Sequence, residues 1–537
     1  MDRTLTIFFT SDTHGYFAPV DYAASAAAPT GLANCAANFV RDGNSLIIDG
    51  GDVLQGSPFT YWLQQCGSAG GPFVPAKLMN LAGYQFVTLG NHDFNYGREV
   101  LERYLDGLDA RCLCANIHGL PQVERTAVVT LENGLRVGLT GVTTSFIPVW
   151  EKPEHLTGVR VTDAVEAARG ALEELRAAGV DLTVCIYHGG FENDIATGLP
   201  LSDTAENQAW RLCQELDFDV LLTGHQHMSL PAAHIRKTWT CQPPDKARSY
   251  IRMEVAVQDD GSIRAESALL PAGDRTEPGM AAYLSEMHDK VSHWLDLPVG
   301  SLNTALMPDD HLYMAVHGSL IANFFNQVQL AASGADLSAT CLGNEVRGFD
   351  RSVSIRDIVA TYIYPNTLAT IRVNREILRR ALERSAEYFD LDESGNLRVS
   401  DSFLHPKEEH YNFDYISGVN VDIDISRPRG QRVLSIRRNG QELPSDVSLT
   451  LCLNNYRAAG SGGYEFYADC ETVDDTPVEV VELIMDYITK RRKSPSTRPD
   501  GSRYITAIGS FHKVINRYTD SSGRGFIPRP VVVRIFC

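Results

Sequence analysis

Five separate segments of this chain set Asp, Asn or His beside glycine at the end of an apolar run. Ser11-Asp12-Thr13-His14-Gly15 follows residues 5–10, and Asp49-Gly50-Gly51-Asp52 closes residues 45–49. Leu89-Gly90-Asn91-His92-Asp93 closes 86–89, Tyr187-His188-Gly189-Gly190 closes 182–187, and Thr223-Gly224-His225-Gln226-His227 closes 220–223. These runs, with 136–140, read as strands that alternate with helical stretches, so the expectation is a layered α/β domain. One such stretch, 163–178, opens with an Asp163-x-x-Glu166 capping box. In a layered α/β sheet the C-terminal strand ends lie along one edge, where ligand crevices form. Residues far apart in sequence therefore converge there, and adjacent glycines let the backbone turn without blocking the site.

A single strand-end Asp or His is commonly a cap or a satisfied polar group. Five such clusters, all at strand ends and all beside glycine, are not explained that way. Asp, Asn and imidazole suit Mn, Zn, Fe, Co or Ni rather than soft copper. Asp12, His14, Asp52, Asn91, His188, His225 and His227 exceed what one four- to six-coordinate ion takes, whereas two divalent ions sharing a carboxylate account for them. Such a pair polarises phosphoryl oxygens and acidifies water, which is the chemistry of phosphate-ester hydrolysis. The departing alkoxide needs a proton, and His92, next to Asn91, is the candidate general acid; the competing role is a further metal ligand. No P-loop and no G-x-S-x-G elbow stands at a strand–helix junction, so kinase-like and covalent routes lack support.

At 537 residues the chain exceeds one ordinary core, and a Pro-, Gly- and charge-rich stretch at 271–278 marks a boundary. We expect a first domain over 1–275, a connecting helix over 276–300 that opens the second, and a second α/β domain over 301–537. Within the connection, Met280, Tyr283, Leu284, Met287, Val291 and Trp294 fall on one helical face. Hairpin turns are expected at Asp259-Asp260-Gly261 and Arg438-Asn439-Gly440-Gln441. Later helices are expected over 318–332, 354–362 and 375–388, and strands over 419–425 and 448–453. The net charge of −19 repels polyanions, so long nucleic acid is a poor partner while a small anion held by metals is not. No run of about 18 apolar residues suggests a membrane span. The N-terminus enters its first strand directly, leaving no room for an export signal, and the 11 scattered cysteines suit a reducing compartment, so a cytoplasmic protein is expected. Nothing in the chain indicates its oligomeric state.

In order and wording these motifs resemble the calcineurin-like metallophosphoesterases, and more narrowly the group of 5′-nucleotidases and 2′,3′-cyclic-nucleotide 2′-phosphodiesterase/3′-nucleotidases. The resemblance rests on Asp12-Thr13-His14-Gly15, on residues 51–58 and 90–97, on His188-Gly189-Gly190 and on Gly224-His225-Gln226-His227. It implies a four-layer α/β/β/α domain, followed by a 5′-nucleotidase-type C-terminal domain. It also implies that Asp12, His14, Asp52 and His227 hold one metal while Asp52, Asn91, His188 and His225 hold the other, with His92 catalytic. Asn95 stands where many 5′-nucleotidases carry an Asp that partners the catalytic histidine. An amide still accepts from the ring N–H but stabilises imidazolium less, and the cyclic-phosphodiesterase subgroup is closer here. The wording Tyr364-Pro365-Asn366-Thr367, Tyr411-Asn412-Phe413-Asp414 and Asn454-Asn455-Tyr456-Arg457-Ala458 points the same way. It implies that Tyr364 and Tyr456 sandwich a nucleobase, with Phe413 as a further candidate. Gly343-Asn344-Glu345-Val346-Arg347-Gly348 occupies the place of a glycine-rich phosphate-contacting motif, which leaves Asn344 and Arg347 as polar contacts. The leading expectation is hydrolysis of 2′,3′-cyclic nucleotides and 3′-nucleotides. A 5′-nucleotidase or UDP-sugar hydrolase is the enzymatic alternative, and a non-catalytic nucleotide sensor the alternative of another class.

Overall fold

The structure, a computed structural model, describes residues 3–67, 73–201, 204–364, 366–405, 407–493 and 532–536. The chain divides into two compact units, Met1–Leu295 and Asp296–Cys537. In the first, strands β1 (Arg3–Thr10), β2 (Ser45–Asp49) and β3 (Phe86–Val87) run parallel in a seven-stranded sheet. Strands β4 (Arg136–Thr143), β5 (Leu182–His188) and β6 (Val220–Thr223) run parallel in a six-stranded sheet. Leu5, Ile7, Phe9, Leu46 and Ile48 from the first sheet share one core with Val137, Leu139, Val184, Ile186 and Leu222 from the second. Strands buried on both faces are apolar without alternation, which is why these runs are continuous in sequence.

Helix Ala164–Ala177 lays Ala164, Val165, Ala168 and Leu172 on the outer face of the second sheet, against Val142, Cys185 and Tyr187. Phe8 turns away from the shared core to meet Phe39 and Tyr250 on the other outer side. The layers are helix, sheet, sheet, helix. Only half of the expected capping box forms: Asp163 accepts from Glu166 N–H, while the Glu166 carboxylate is drawn 3.5 Å from Arg169 on the next turn. Helix Pro278–Leu295, expected to open the second unit, belongs by its contacts to the first. It packs on helices Pro58–Cys66 and Val74–Ala82, with Trp294 and Tyr61 rings 6.0 Å apart.

The parallel register sets the site. Thr10 lies level with Asp49, Asp49 with Val87, Thr143 with His188 and Tyr187 with Thr223. All five clusters thus leave the two sheets at the same edge.

The second unit is built on a five-stranded sheet in which β7 (Leu337–Thr340), β8 (Thr367–Val373) and β9 (Leu449–Asn454) carry the core. Helices Leu320–Ser333, Ile355–Thr361 and Arg375–Ala386 are capped by the side chains of Ser319, Ser354 and Asn374. Asn439 and Gly440 both take positive φ, as a two-residue hairpin turn requires. Among the described residues no helix is long and apolar enough to cross a membrane.

Candidate metal centre

Five of the seven expected ligands sit in the left-handed backbone region: Asp12 (φ 55), His14 (φ 49), Asp52 (φ 60), His225 (φ 71) and His227 (φ 55). Each costs about 1–2 kcal/mol for a residue with a Cβ, so the surrounding contacts must hold these loops in place. Asp12 N–H donates to Gly51 O and His14 N–H to Asp52 O, which stitches the first two clusters together. Asp93 does more. It is buried, and its Oδ2 accepts from the N–H groups of Asp52 and Gly90 while its Oδ1 accepts from Val53 and Leu54. Burial, with Asp52 beside it, pushes the Asp93 carboxyl up, and the backbone donors oppose this. Gly90 is obligatory for a different reason, because a Cβ there would collide with the Asp52 carboxylate.

Two groups result. Asp12, His14 and His227 offer ligand atoms within 4.8 Å of one another, as do Asp52, His188 and His225. Asp52 Oδ2 joins them: it lies 3.2 Å from His188 Nε2 and 3.9 Å from His14 Nε2. That oxygen is buried and has no hydrogen-bond partner among the described residues, a costly state unless a cation lies beside it. Asn91 Oδ1 completes the second group, 2.9 Å from His225 Nδ1 and 3.3 Å from His188 Nε2.

The ring orientations agree. His14 Nδ1–H donates to Gln55 O at 2.8 Å and His188 Nδ1–H to Gly50 O at 2.7 Å, leaving each Nε2 directed at the centre. His14 therefore presents a lone pair towards His227 Nε2, 3.1 Å away, where a metal ion would take it as a ligand. Burial holds His14 down to about 4, so it is neutral and able to ligate. For Asp52, burial favours the protonated form, but His188, His92 and His14 outweigh it and hold the carboxyl well below its ordinary range. Burial lowers His188, yet the Asp52 charge wins and pushes it up to about 10, a measure of how strongly this point attracts positive charge. The donor set fits two divalent ions.

Several contributors carried no signal in the sequence. Glu206 Oε1 lies 3.0 Å from His225 Nε2 and so turns Nδ1 inward; Asp245 faces His227 Nδ1 at 3.6 Å; Trp150 stacks on His225 at 5.5 Å. All three stand in or beside loops without a distinctive pattern. His92 is placed by its own N–H, which donates to Asp52 Oδ1 at 2.7 Å, and its Nδ1 faces Asn95 Oδ1 at 2.7 Å.

In the second unit, Leu368 pairs with Asn454, so Tyr364 before β8 and Tyr456 after β9 stand at the same end of adjacent strands. Asn455 Oδ1 accepts from Thr367 N–H, tying the two turns, and both tyrosines are half-buried. Pro365 lies outside the described residues. Phe413 is a correction: it is buried in the core between Tyr388, Phe389 and Tyr415, with no face left for a base. Asn344 is held in its loop: its Nδ2 donates to Glu408 O and its Oδ1 accepts from His410 N–H, which leaves one amide N–H and one lone pair. Arg347 is exposed on the same loop. Arg457 is fully buried, bonded to Asp414 Oδ1 and Tyr411 O and packed over Tyr464.

The calcineurin-like phosphoesterase family matches residues 5–229, and the 5′-nucleotidase C-terminal domain matches residues 299–469. The crystal structure of a candidate 5′-nucleotidase from Staphylococcus aureus, in complex with α-ketoglutarate, is 33% identical. It superposes with a TM-score of 0.84 over 90% of this chain and 96% of that one. This chain belongs to the calcineurin-like phosphoesterases with a 5′-nucleotidase C-terminal domain. Like the family, it is a hydrolase of phosphoric ester bonds and takes two divalent metal ions. Two curated relatives of the family are 2′,3′-cyclic-nucleotide 2′-phosphodiesterase/3′-nucleotidases. The Haemophilus influenzae protein is 24% identical over 95% of this chain and 88% of its own length. The Yersinia enterocolitica protein is 25% identical over 89% and 83%.

Proposed function

We propose that the protein hydrolyses nucleotide phosphoesters, acting as a 2′,3′-cyclic-nucleotide 2′-phosphodiesterase with 3′-nucleotidase activity. The observation that carries the chemistry is the buried Asp52 Oδ2, which has no hydrogen-bond partner among the described residues and faces two imidazole-rich groups. Asp12, His14, Asp52 and His227 hold one ion, and Asp52, Asn91, His188 and His225 the other. When bound, the ions supply positive charge to the phosphoryl oxygens and acidify water. His92, anchored to Asp52 through its backbone, keeps Nδ1–H on Asn95 and delivers a proton from Nε2 to the leaving oxygen as the ester bond breaks. In the second unit Tyr364 and Tyr456 stack the base, and the Arg457 bonds brace the Tyr456 turn against 411–414. Arg347 is a candidate for the substrate's charge.

The cyclic and 3′ preference is supported by Asn95, by the absent glycine run at 343–348 and by the relatives from Haemophilus and Yersinia. A 5′-nucleotidase is the second reading, favoured by the name of the Staphylococcus relative. The ten described cysteines are all unpaired, which supports a reducing compartment such as the cytoplasm. With Mn added, phosphate release from 2′,3′-cyclic AMP and 3′-AMP but not from 5′-AMP or UDP-glucose is expected. Turnover confined to 5′-AMP would overturn the preference, and none on any phosphoester would overturn the chemistry. Tyr364→Ala and Tyr456→Ala should each raise KM for nucleotides about tenfold, leaving bis-p-nitrophenyl phosphate unaffected.

A further inference from the structure

An aspartate behind a catalytic histidine offers only acceptor oxygens, so the ring N–H has one way to bind. The Asn95 amide is ambivalent, because it presents either C=O or NH2 to His92 according to which way it is turned. Something else must choose. Asn95 Nδ2 lies 2.7 Å from Glu151 Oε2 while Asn95 Oδ1 lies 2.7 Å from His92 Nδ1. A carboxylate only accepts, so the amide NH2 must face Glu151 and the carbonyl must face His92.

We propose that Glu151 is a positioning residue for His92: it orients the Asn95 amide, which in turn holds His92 through Nδ1–H and turns Nε2 towards the leaving group. The proposal rests on the reading of His92 as proton donor. Glu151 is itself well held. Its side chain is 6% exposed, and its other oxygen accepts from Lys152 N–H at 2.8 Å and from His155 Nδ1–H at 2.7 Å. It directly follows helix Ile147–Trp150, whose last residue stacks on His225, so one short segment steadies both a metal-facing imidazole and the acid. The carboxylate that an aspartate would bring into contact with His92 is thus moved one residue further out and relayed through an amide.

A charge-exchange cycle tests this. In Glu151→Gln one end of the new amide sets NH2 against either Asn95 NH2 or Lys152 N–H, so the orientation of Asn95 is lost. With Mn present, kcat should fall about tenfold or more with KM within about twofold. Asn95→Asp alone sets two carboxylates face to face and should lose activity comparably. In the double variant the carboxylate at 95 accepts from His92 and from the new amide at 151. That amide's oxygen accepts from Lys152 and His155, and kcat should return to within about threefold of wild type. A proton-donor defect also weighs more on a poor leaving group, so Glu151→Gln should lose more on diphenyl phosphate than on bis-p-nitrophenyl phosphate. Independently of turnover, nitrogen NMR should show His92 protonated at Nδ1 in wild type and the double variant, and a tautomer mixture in Glu151→Gln, at equal metal content. An unchanged kcat and tautomer in Glu151→Gln, or a double variant no better than the two single losses combined, overturns the proposal. A fully active His92→Ala variant would overturn the underlying reading of His92.

Discussion

Replacing Asp93 with Asn changes one atom and no expected metal ligand, yet it should unsettle the whole centre. Each Asp93 oxygen accepts from two backbone donors, Asp52 and Gly90 on one side and Val53 and Leu54 on the other, at 2.8–3.0 Å. Whichever way the asparagine turns, its NH2 faces two buried N–H groups that no longer have an acceptor. Losing two bonds to a charged acceptor costs roughly 3–6 kcal/mol. In a unit of this size that lowers the melting midpoint by roughly 6–12 °C, at about 2 °C per kcal/mol. The freed segments are those that carry Asp52 and Asn91, so metal affinity should fall about 10–100-fold, as is usual when a support of the ligands is removed. Calorimetry on the metal-free protein measures the first effect, and a competitive chelator titration with Mn measures the second. A variant with an unchanged midpoint and unchanged metal affinity would refute the view that Asp93 organises these loops.

Glu206→Gln should weaken metal binding about tenfold without unfolding the protein, because His225 loses the carboxylate that turns Nδ1 inward; a chelator titration checks it. Arg457→Met leaves the buried Asp414 carboxylate unpaired and should destabilise the second unit by about 3–5 kcal/mol, seen as a lower urea midpoint. Burial, with His311 beside it, holds His410 down to about 4 from 6.5, so the folded unit binds this proton less readily than the unfolded chain. Its contribution to stability is full above pH about 6.5 and is lost as pH falls towards about 4. His410→Gln should flatten the stability profile across that window, and an unaltered slope would contradict the assignment.

The sequence revealed most where residue type and strand period acted together. The runs at 45–49 and 220–223 emerge with the expected bounds, because a strand buried on both faces must be apolar throughout. The seven ligand candidates could be identified because their residue types recur at strand ends and because parallel strands bring those ends to one edge. Phe413 misled for the converse reason. An aromatic flanked by polar residues looks like a loop platform in sequence, but burial depends on what packs against it, here Tyr388 and Phe389.

By itself, then, the sequence determined the layered α/β architecture, the donor chemistry and its division among five strand ends. These follow from local periodicity and from which side chains ligate hard and borderline cations. Only the tertiary structure decided that Asp12, His14, Asp52, His225 and His227 take left-handed backbone, a conformation such residues adopt only when contacts from elsewhere impose it. It alone decided that Asp52 Oδ2 lies between the two groups, and that Glu206, Asp245 and Glu151 stand behind His225, His227 and Asn95. A supporting carboxylate leaves no pattern in its own segment, since what gives it a role is the side chain that folding brings against it.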